Sequence, residues 1–558
     1  MPEPTTEKTI HSWERRAAPA IPSAAMPGAW SPFGHTAFSV LWLATLVSNI
    51  GTWMHDVGAG WLMTELSPSP LIVAAVQAAT SLPIFLFALP AGALADIVDR
   101  RRLLIAVNLV LGTVAALLAV LVLQNSVTPA LLLLFTFVMG TGAAMMAPAW
   151  QAVVPQLVPK DELAPAVALN SMGINVSRAI GPALAGLLIV SYGIAVPFFV
   201  NALSVIGIVA ALLWWRAPDA RQTKLPPETI VPAMISGVRY ALHSGPVKST
   251  LLRAAAFFLF ASAFWALLPL IVRTVLAGGP GLYGILLGCL GAGAVTGAVL
   301  LPRIRSRFGP DGTVMFGTTG LAGVTFLMAI VPNAFLAAAA ALMAGLSWIS
   351  VLSTLNVSAQ TALPNWVRAR GLSVFLMVFF GSMTAGSLIW GQLASHVGIP
   401  ATLITASAGA IIAMMLTRRA KLNQGESMDL APALHWPEPV ATIERERDRG
   451  PVMIQIVYEI DASDRHRFVE LMAKLAQARR RNGAYNWSLM EDLGVENRFV
   501  ETWHEASWLQ HLRHHEHVSG ADRAVQEQIA SFNRSAKSSP VHLISVDARS
   551  KAHEVEPH

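Results

Sequence analysis

The sequence predicts an all-α membrane protein of twelve transmembrane helices in two six-helix halves, followed by a C-terminal α+β domain. Three observations predict it. The 558 residues are 54% apolar and only 13% charged, where soluble domains average about a quarter charged. Apolar runs of membrane-crossing length, about 20 residues, recur between residues 31 and 417 and then stop. Basic residues crowd onto alternate connecting loops, the pattern of positive-inside insertion.

Residues 1–30 mix Glu3, Glu7, Lys8, Glu14, Arg15 and Arg16 with prolines and lack a short apolar core with a cleavage site. They read as a disordered cytoplasmic tail and not as a secretory signal. Spans follow at 35–62, 69–95, 102–123, 129–152, 165–191 and 195–215, which make the N-terminal half, 31–216. Residues 217–250 form a cytoplasmic central loop. Within it Ile230 to Leu242 has helical periodicity and, with Arg239 and His243, reads as an amphipathic surface helix. The C-terminal half, 251–420, has spans at 251–277, 281–301, 312–332, 334–357, 371–395 and 398–417.

The even-numbered loops carry Arg100, Arg101 and Arg102; Lys160; Arg216, Arg221, Lys224, Arg239 and Lys248; Arg303, Arg305 and Arg307; and Arg368 and Arg370. Arg418, Arg419 and Lys421 follow the last span. The odd-numbered loops read ELSPSP, QNSVTP, SYGIA, LAGGPG, VPNA and SHVG, and only Arg273 breaks the pattern. This asymmetry puts both termini in the cytoplasm of a bacterial-type inner (plasma) membrane, with the lipid bilayer as the surrounding medium. The pI near 9.7 then reflects topology, and no nucleic-acid partner is expected. Cys289 stands alone in an apolar run, so no intrachain disulfide forms, and it reads as a small buried or lipid-facing residue.

The halves repeat. AWQAVVPQLVPKD (149–161) matches SAQTALPNWVRAR (358–370) at Gln151 and Gln360 and at Pro155 and Pro364, both at an offset of 209 residues. The same offset lays GALADIVDRRRL (92–103) over LPRIRSRFGPDG (301–312). The arginines persist there, but Arg305 stands opposite Asp96 and the carboxylate is Asp311, further along. Six plus six helices in parallel repeat is an organisation of secondary transporters that bind substrate near the midplane.

GALADIVDRRRL resembles the loop signature of the major facilitator superfamily, with Gly92, Asp96, Arg100 and Arg101 at matching positions and Asp99 where a second glycine is usual. That departure is shared with the exporter branch that includes the enterobactin exporter. IGPALAG (180–186) resembles the Gly-Pro antiporter motif through Gly181, Pro182 and Gly186, with Leu187 replacing its last glycine. The resemblance covers about residues 31–420. It implies a conformational latch at Gly92, Asp96, Asp99, Arg100 and Arg101. Gly92 would allow close helix approach, Asp96 would pair with an arginine and a helix N-terminus, and Asp99 would be a further acceptor for Arg100 to Arg102. The alternative, that these charges only set orientation, stays open. Gly181-Pro182 removes a backbone donor and kinks the fifth span, and the resemblance makes it, with Gly186, a hinge or seal.

Ionisable side chains inside a bilayer are costly and mark function. Asp56, beside His55 in NIGTWMHDVGAGW, is the one carboxylate inside the apolar part of a predicted span. It is the candidate proton site, and its rival reading is a position at the outer interface. Arg178, near the middle of the fifth span, is the candidate partner of Asp56 or of an anionic substrate, with backbone carbonyls as the rival. Asn49, Gln77, Asn170, Asn175, Asn201, Asn356, Gln360 and Gln392 either line a pathway or bond between helices. Trp53, Trp61, Trp265, Trp348 and Trp390 read as packing or interfacial residues before they read as substrate platforms.

After a polar linker, 421–450, residues 451–548 alternate strand and helix patterns in the order βαββαβ, which suggests a ferredoxin-like unit with a short tail, 549–558. Helix is predicted over the whole of 506–534. The domain resembles antibiotic-biosynthesis-monooxygenase-like domains, whose sheets pair into dimers, most clearly in TWHEASWLQHLRHHEHV (502–518). That resemblance leaves a homodimer through this domain open. His511 and His515 are spaced i, i+4, with His504, His514 and His517 near, and a solvated or dimer-facing helix explains them more simply than a metal or haem site. No catalytic residue, metal or cofactor is expected. The expected function is proton-coupled efflux of a small molecule: a drug, a siderophore or a metabolite. The alternatives are an exporter fused to an active monooxygenase-like enzyme, and a non-transporting membrane sensor.

Overall fold

The computed structural model describes residues 28–216, 230–422, 429–430, 450–534 and 540–545. The predicted N-terminal tail up to 27, the basic stretch 217–229 with Arg221 and Lys224, most of the linker and the last residues lie outside the described residues, as do the side chains of Lys160 and Asp96.

After a short turn at Ser31–Gly34, the first half comprises α1 (Thr36–Leu66), α2 (Pro70–Ile97), α3 (Arg100–Leu123), α4 (Pro129–Val153), α5 (Leu163–Tyr192) and α6 (Val196–Trp214). Helix α7 (Ile230–His243) precedes α8 (Gly245–Leu270), which runs on through a π-helical turn, Ile271–Val275, and is followed by α9 (Pro280–Ile330), α10 (Ala334–Thr361), α11 (Arg368–Val397) and α12 (Ile399–Thr417). Lipid offers no hydrogen bonds to an open backbone, so each apolar run closes its own as helix. Prolines open α2, α4, α6, α9 and α12, where the missing N–H costs nothing. Helices α5 and α11 each end on a positive-φ glycine, Gly193 and Gly398.

Among the described residues, eleven helices are long and apolar enough to cross a membrane. One of them, α9, has 51 residues, about 75 Å at the usual rise and more than twice a hydrocarbon core of about 30 Å. Its backbone breaks at Gly309, with φ 65° and ψ 178°. In the first half α1 packs on α5 and α6, α2 on α4, and α3 on α4 and α6; in the second, α8 packs on α11 and α12, and α9 on α10 and α12. The halves join chiefly through α2 with α11 and α5 with α9, and α2 also packs on α8.

The C-terminal domain contains β1 (Val452–Glu459), α13 (Arg465–Arg481), β2 (Tyr485–Glu491), β3 (Arg498–Glu505), α14 (Trp508–His517), α15 (Gly520–Phe532) and β4 (Val541–Ile544). The sheet order is β2-β3-β1-β4, antiparallel throughout, with Ile454 opposite Trp503 and His542. Tyr458, Phe468, Leu475, Phe499 and Ile529 form its core. The helix expected over 506–534 is two helices. Ser519 ends the first continuity because its hydroxyl caps α15 in a reciprocal box with Asp522.

Helix α7 is not simply a surface element. Tyr240 and Ala241 are buried against Val247, Leu363 and Val367 of the second half. Arg239 donates to the Gly483 carbonyl at 3.0 Å, and the Arg481 guanidinium sits 5.5 Å from the Tyr240 ring centre. The central-loop helix therefore joins the C-terminal domain to the membrane helices.

Candidate functional site

The seam between the halves is closest where glycines face each other. A Cβ on Gly284 of α9 would lie 2.7 Å from the Pro182 carbonyl oxygen and 2.8 Å from the Gly186 Cα on α5. A Cβ on Gly186 would lie 3.0 Å from the Gly284 Cα, and one on Gly291 would lie 2.5 Å from the Ala179 Cα. Small residues let membrane helices cross backbone to backbone. In the second seam a Cβ on Gly391 of α11 would lie 3.1 Å from the Leu71 Cα of α2. Most of these crossings lie toward the helix ends that carry the odd-numbered loops, near Tyr192, Pro280, Pro70 and Val397.

The Gly-Pro stretch of α5 sits inside this seam. Gly181 faces α1, where a Cβ would meet the Trp53 Cβ at 2.6 Å and the Ile50 carbonyl oxygen at 3.1 Å, while Pro182 and Gly186 face α9. One short stretch thus touches both halves. Gly284 and Gly291 complete it, and the sequence reading missed them, because a glycine in an apolar run carries no mark of what it faces.

Asp56 is half-buried on α1, on the face it shares with Gly60 four residues on. That face meets α9: a Cβ on Gly60 would lie 3.0 Å from the Tyr283 hydroxyl, and the Trp61 and Tyr283 rings are 6.0 Å apart. Arg178 is half-buried with its guanidinium 5.4 Å from the Trp53 ring centre, so it faces an aromatic ring on α1. His55 is buried edge-on to Phe198 at 4.9 Å, and neither ring nitrogen has a partner among the described residues.

Several membrane polar groups bond locally. Trp150 donates to Asn170, Asn175 to the Ser171 carbonyl, and Gln360 to Asn356. Trp348 is buried among Phe257, Phe258, Trp265 and Phe379, a packing role. Trp390 donates to the Leu259 carbonyl at 2.7 Å and so ties α11 to α8.

At the arginine-rich loops the details differ from expectation. Asp99 caps α3 by accepting from the Arg102 backbone N–H at 2.7 Å. Arg101 donates to the Leu212 and Leu213 carbonyls, both at 2.6 Å, and braces the C-terminus of α6. A Cβ on Gly92 would meet nothing within 4 Å, so no close helix approach occurs at that residue here. In the second half Asp311 is not idle: it pairs with Arg253 of α8 at 3.0 Å, while Arg253 also donates to the Arg418 carbonyl at 3.2 Å. Arg273, the exception to the loop pattern, donates to the Thr64 carbonyl and ties the second half to the end of α1.

In the C-terminal domain the histidine-bearing helix is not solvated. His511 and His514 are each 1% exposed. Both ring Nδ1 atoms donate to Glu505, at 3.0 and 2.6 Å, as does the Trp503 indole at 2.9 Å. Burial alone would push the Glu505 carboxyl up, but the imidazoles bonded to it outweigh burial and hold it well below the usual range. Burial first, and neighbouring imidazoles second, bring His515 down to about 3.

The family model described as transmembrane secretion effector matches residues 27–551. The chain belongs to this family of major facilitator transporters. The match runs through the C-terminal domain as well as the membrane helices. The chain is 25% identical to the staphyloferrin A transporter of Staphylococcus aureus over 389 residues, 68% of this chain and 96% of that one. It is 24% identical to the multidrug efflux pump Tap of Mycobacterium tuberculosis over 437 residues, 73% and 98% of the two chains. Among solved structures, the inward-facing, unoccupied bacterial homologue of the human lysosomal transporter Spinster aligns with a TM-score of 0.54 at 15% identity, over 69% of this chain and 96% of that one. The protein is thus a multi-pass membrane transporter with efflux-type relatives.

Proposed function

We propose that this transporter is a proton-coupled exporter of amphipathic small molecules, a drug, siderophore or metabolite, with twelve passes, both termini cytoplasmic, and a place in the exporter branch. The twelve passes follow if α9 turns at Gly309, because the basic residues Arg303, Arg305 and Arg307 immediately precede that break. The observation that carries the reading is the α5–α9 glycine seam. It packs backbone against backbone the helix ends that bear the odd-numbered loops, and in this proposal the opposite, basic side is the one that opens to load cargo. Arg178 lies on α5 of that seam and Asp56 on α1, which packs on α5, and Asp56 is the proton site of the proposal. Asp96, Asp99, Arg100 and Arg101 act as its latch on the basic side. The C-terminal unit is ferredoxin-like, supported by its βαββαβ core and its strand order, and serves as a regulatory or dimerising module held by α7.

Everted vesicles test this directly. Uptake of a fluorescent amphipathic cation into vesicles carrying the protein should require an imposed proton gradient and collapse with a protonophore. Asp56→Asn should retain substrate binding and lose gradient-driven uptake. Gradient-independent uptake, or full activity in Asp56→Asn at matched expression, rejects proton coupling through this residue.

A further inference from the structure

The histidines of the C-terminal domain converge on one point. His511 and His515 lie one turn apart on α14, and their Nε2 atoms are 3.1 Å from each other. His542, on the edge strand β4, brings a third ring nitrogen, and one nitrogen from each of the three lies within 4.8 Å of the others. The His511 and His542 ring centres are 4.8 Å apart, and Trp508 closes one side, 5.6 Å from His542. His511 is buried, whereas His515 and His542 are half-exposed, so the point of convergence opens to solvent.

Glu505 decides the chemistry of His511. A carboxylate oxygen accepts only, so the His511 Nδ1 carries the hydrogen it donates across 3.0 Å. In the neutral ring Nε2 then presents its lone pair to the other two imidazoles. A carboxylate behind an imidazole is the usual outer partner of a metal-ligating histidine, fixing both its tautomer and its orientation. Two nitrogens bound to tetrahedral Zn2+ at about 2.0–2.1 Å lie about 3.3 Å apart, close to the His511–His515 separation. Three imidazoles with no thiolate suit a first-row divalent cation.

We propose that His511, His515 and His542 form a binding site for a divalent transition metal of the Zn2+ class, with its fourth position open to solvent. Glu505 is the positioning residue behind His511. Metal binding draws the His542 nitrogen inward and clamps β4, which among the described residues pairs only with β1, onto α14. The site stands on the C-terminal domain's own geometry and does not depend on the transport reading.

The test uses the full-length chain, purified in detergent without a histidine tag and stripped with chelator. Titration with ZnCl2 against a chromophoric competitor should give one tight site per chain, and CoCl2 should give the visible absorption of a tetrahedral centre. His515→Ala and His542→Ala should each weaken Zn2+ binding at least about tenfold, whereas His466→Ala, on the exposed face of α13, should bind as wild type does. His542→Gln, which keeps a polar side chain on the edge strand, should bind as weakly as His542→Ala, and thermal melts without metal should match wild type. An absence of Zn2+ binding at micromolar free metal overturns the proposal. So does wild-type affinity in both His515→Ala and His542→Ala, or an equal loss in His466→Ala.

Discussion

Replacing Gly284 by alanine tests whether the α5–α9 seam is the closed gate of this state. The added Cβ would lie 2.7 Å from the Pro182 oxygen, 2.8 Å from the Gly186 Cα and 3.0 Å from the Gly186 nitrogen, all backbone atoms that no rotamer change can move. Unstrained contacts of this kind sit at about 3.5–4.0 Å, so the helices must part by roughly 1 Å. Overpacking of this kind costs about 1–3 kcal/mol. The cost falls only on the conformation in which the seam is shut, so the access equilibrium should move about 5- to 150-fold away from it. Spin labels at Ser126 and Pro332, exposed on odd-numbered loops of opposite halves, read this in a Cys289→Ser background. Gly284→Ala should show a longer-distance population that wild type lacks, and drug efflux should slow. Gly207→Ala is the control, since a Cβ on that helical glycine of α6 meets nothing within 4 Å. A distance distribution in Gly284→Ala identical to wild type refutes the seam as the gate.

Other outcomes follow from buried charge and titration. Glu501 is fully buried and accepts from Tyr458 at 2.9 Å, Trp487 at 2.9 Å and Arg479 at 3.3 Å. Glu501→Ala takes that carboxylate away from the buried Arg479 and should destabilise the C-terminal domain by about 3–5 kcal/mol, seen as an early domain transition in thermal melts beside an unmoved membrane transition. Asp311→Asn should lower the melting temperature of the membrane part, because Arg253, 4% exposed, loses its carboxylate. Unchanged melting would mean that the Thr417 and Arg418 carbonyls suffice. Metal-free protein should lose C-terminal-domain stability as the pH falls below about 6.5. There the unfolded chain protonates its histidines, while folded His515, held at about 3, does not, and folded His542, lowered by burial, takes up its proton at lower pH than the unfolded chain does. The unfolded state binds more protons, so stability falls with pH across that window. Glu505, held below the usual carboxylate range, keeps its charge there and adds its own loss only at lower pH. A flat domain melting profile between about pH 7 and pH 5 would contradict this.

The helices of the membrane part were legible because a spanning segment announces itself by apolar length, although the expected spans 281–301 and 312–332 run together in the single helix α9, which breaks at Gly309. The α5 stretch was legible at Gly181, Pro182 and Gly186, where a proline interrupts an apolar run. Gly284 and Gly291 were not: the same run tolerates glycine anywhere, and only the crossing with α5 gives those two a task. Arg253 and Asp311 are 58 residues apart and share no spacing rule, so neither residue pointed to the other. The histidines of α14 were visible as an i, i+4 pair, yet a polar helix rich in histidine reads as solvated until Glu505 and Trp503 are seen beneath it.

Composition and hydrophobic periodicity by themselves determined that this chain is a helical membrane protein with a separate α+β domain, since solvent and lipid sort residues by local pattern alone. The family was legible too, through loop and helix-five motifs that resemble those of the superfamily and are contiguous in sequence. Tertiary structure alone decided which glycines close the seam, which arginine meets Asp311, that α7 joins the two domains, and that His542 reaches His511 and His515. Each of these depends on how distant elements cross or on which strand pairs at the sheet edge, and no local pattern encodes the partner across such a contact.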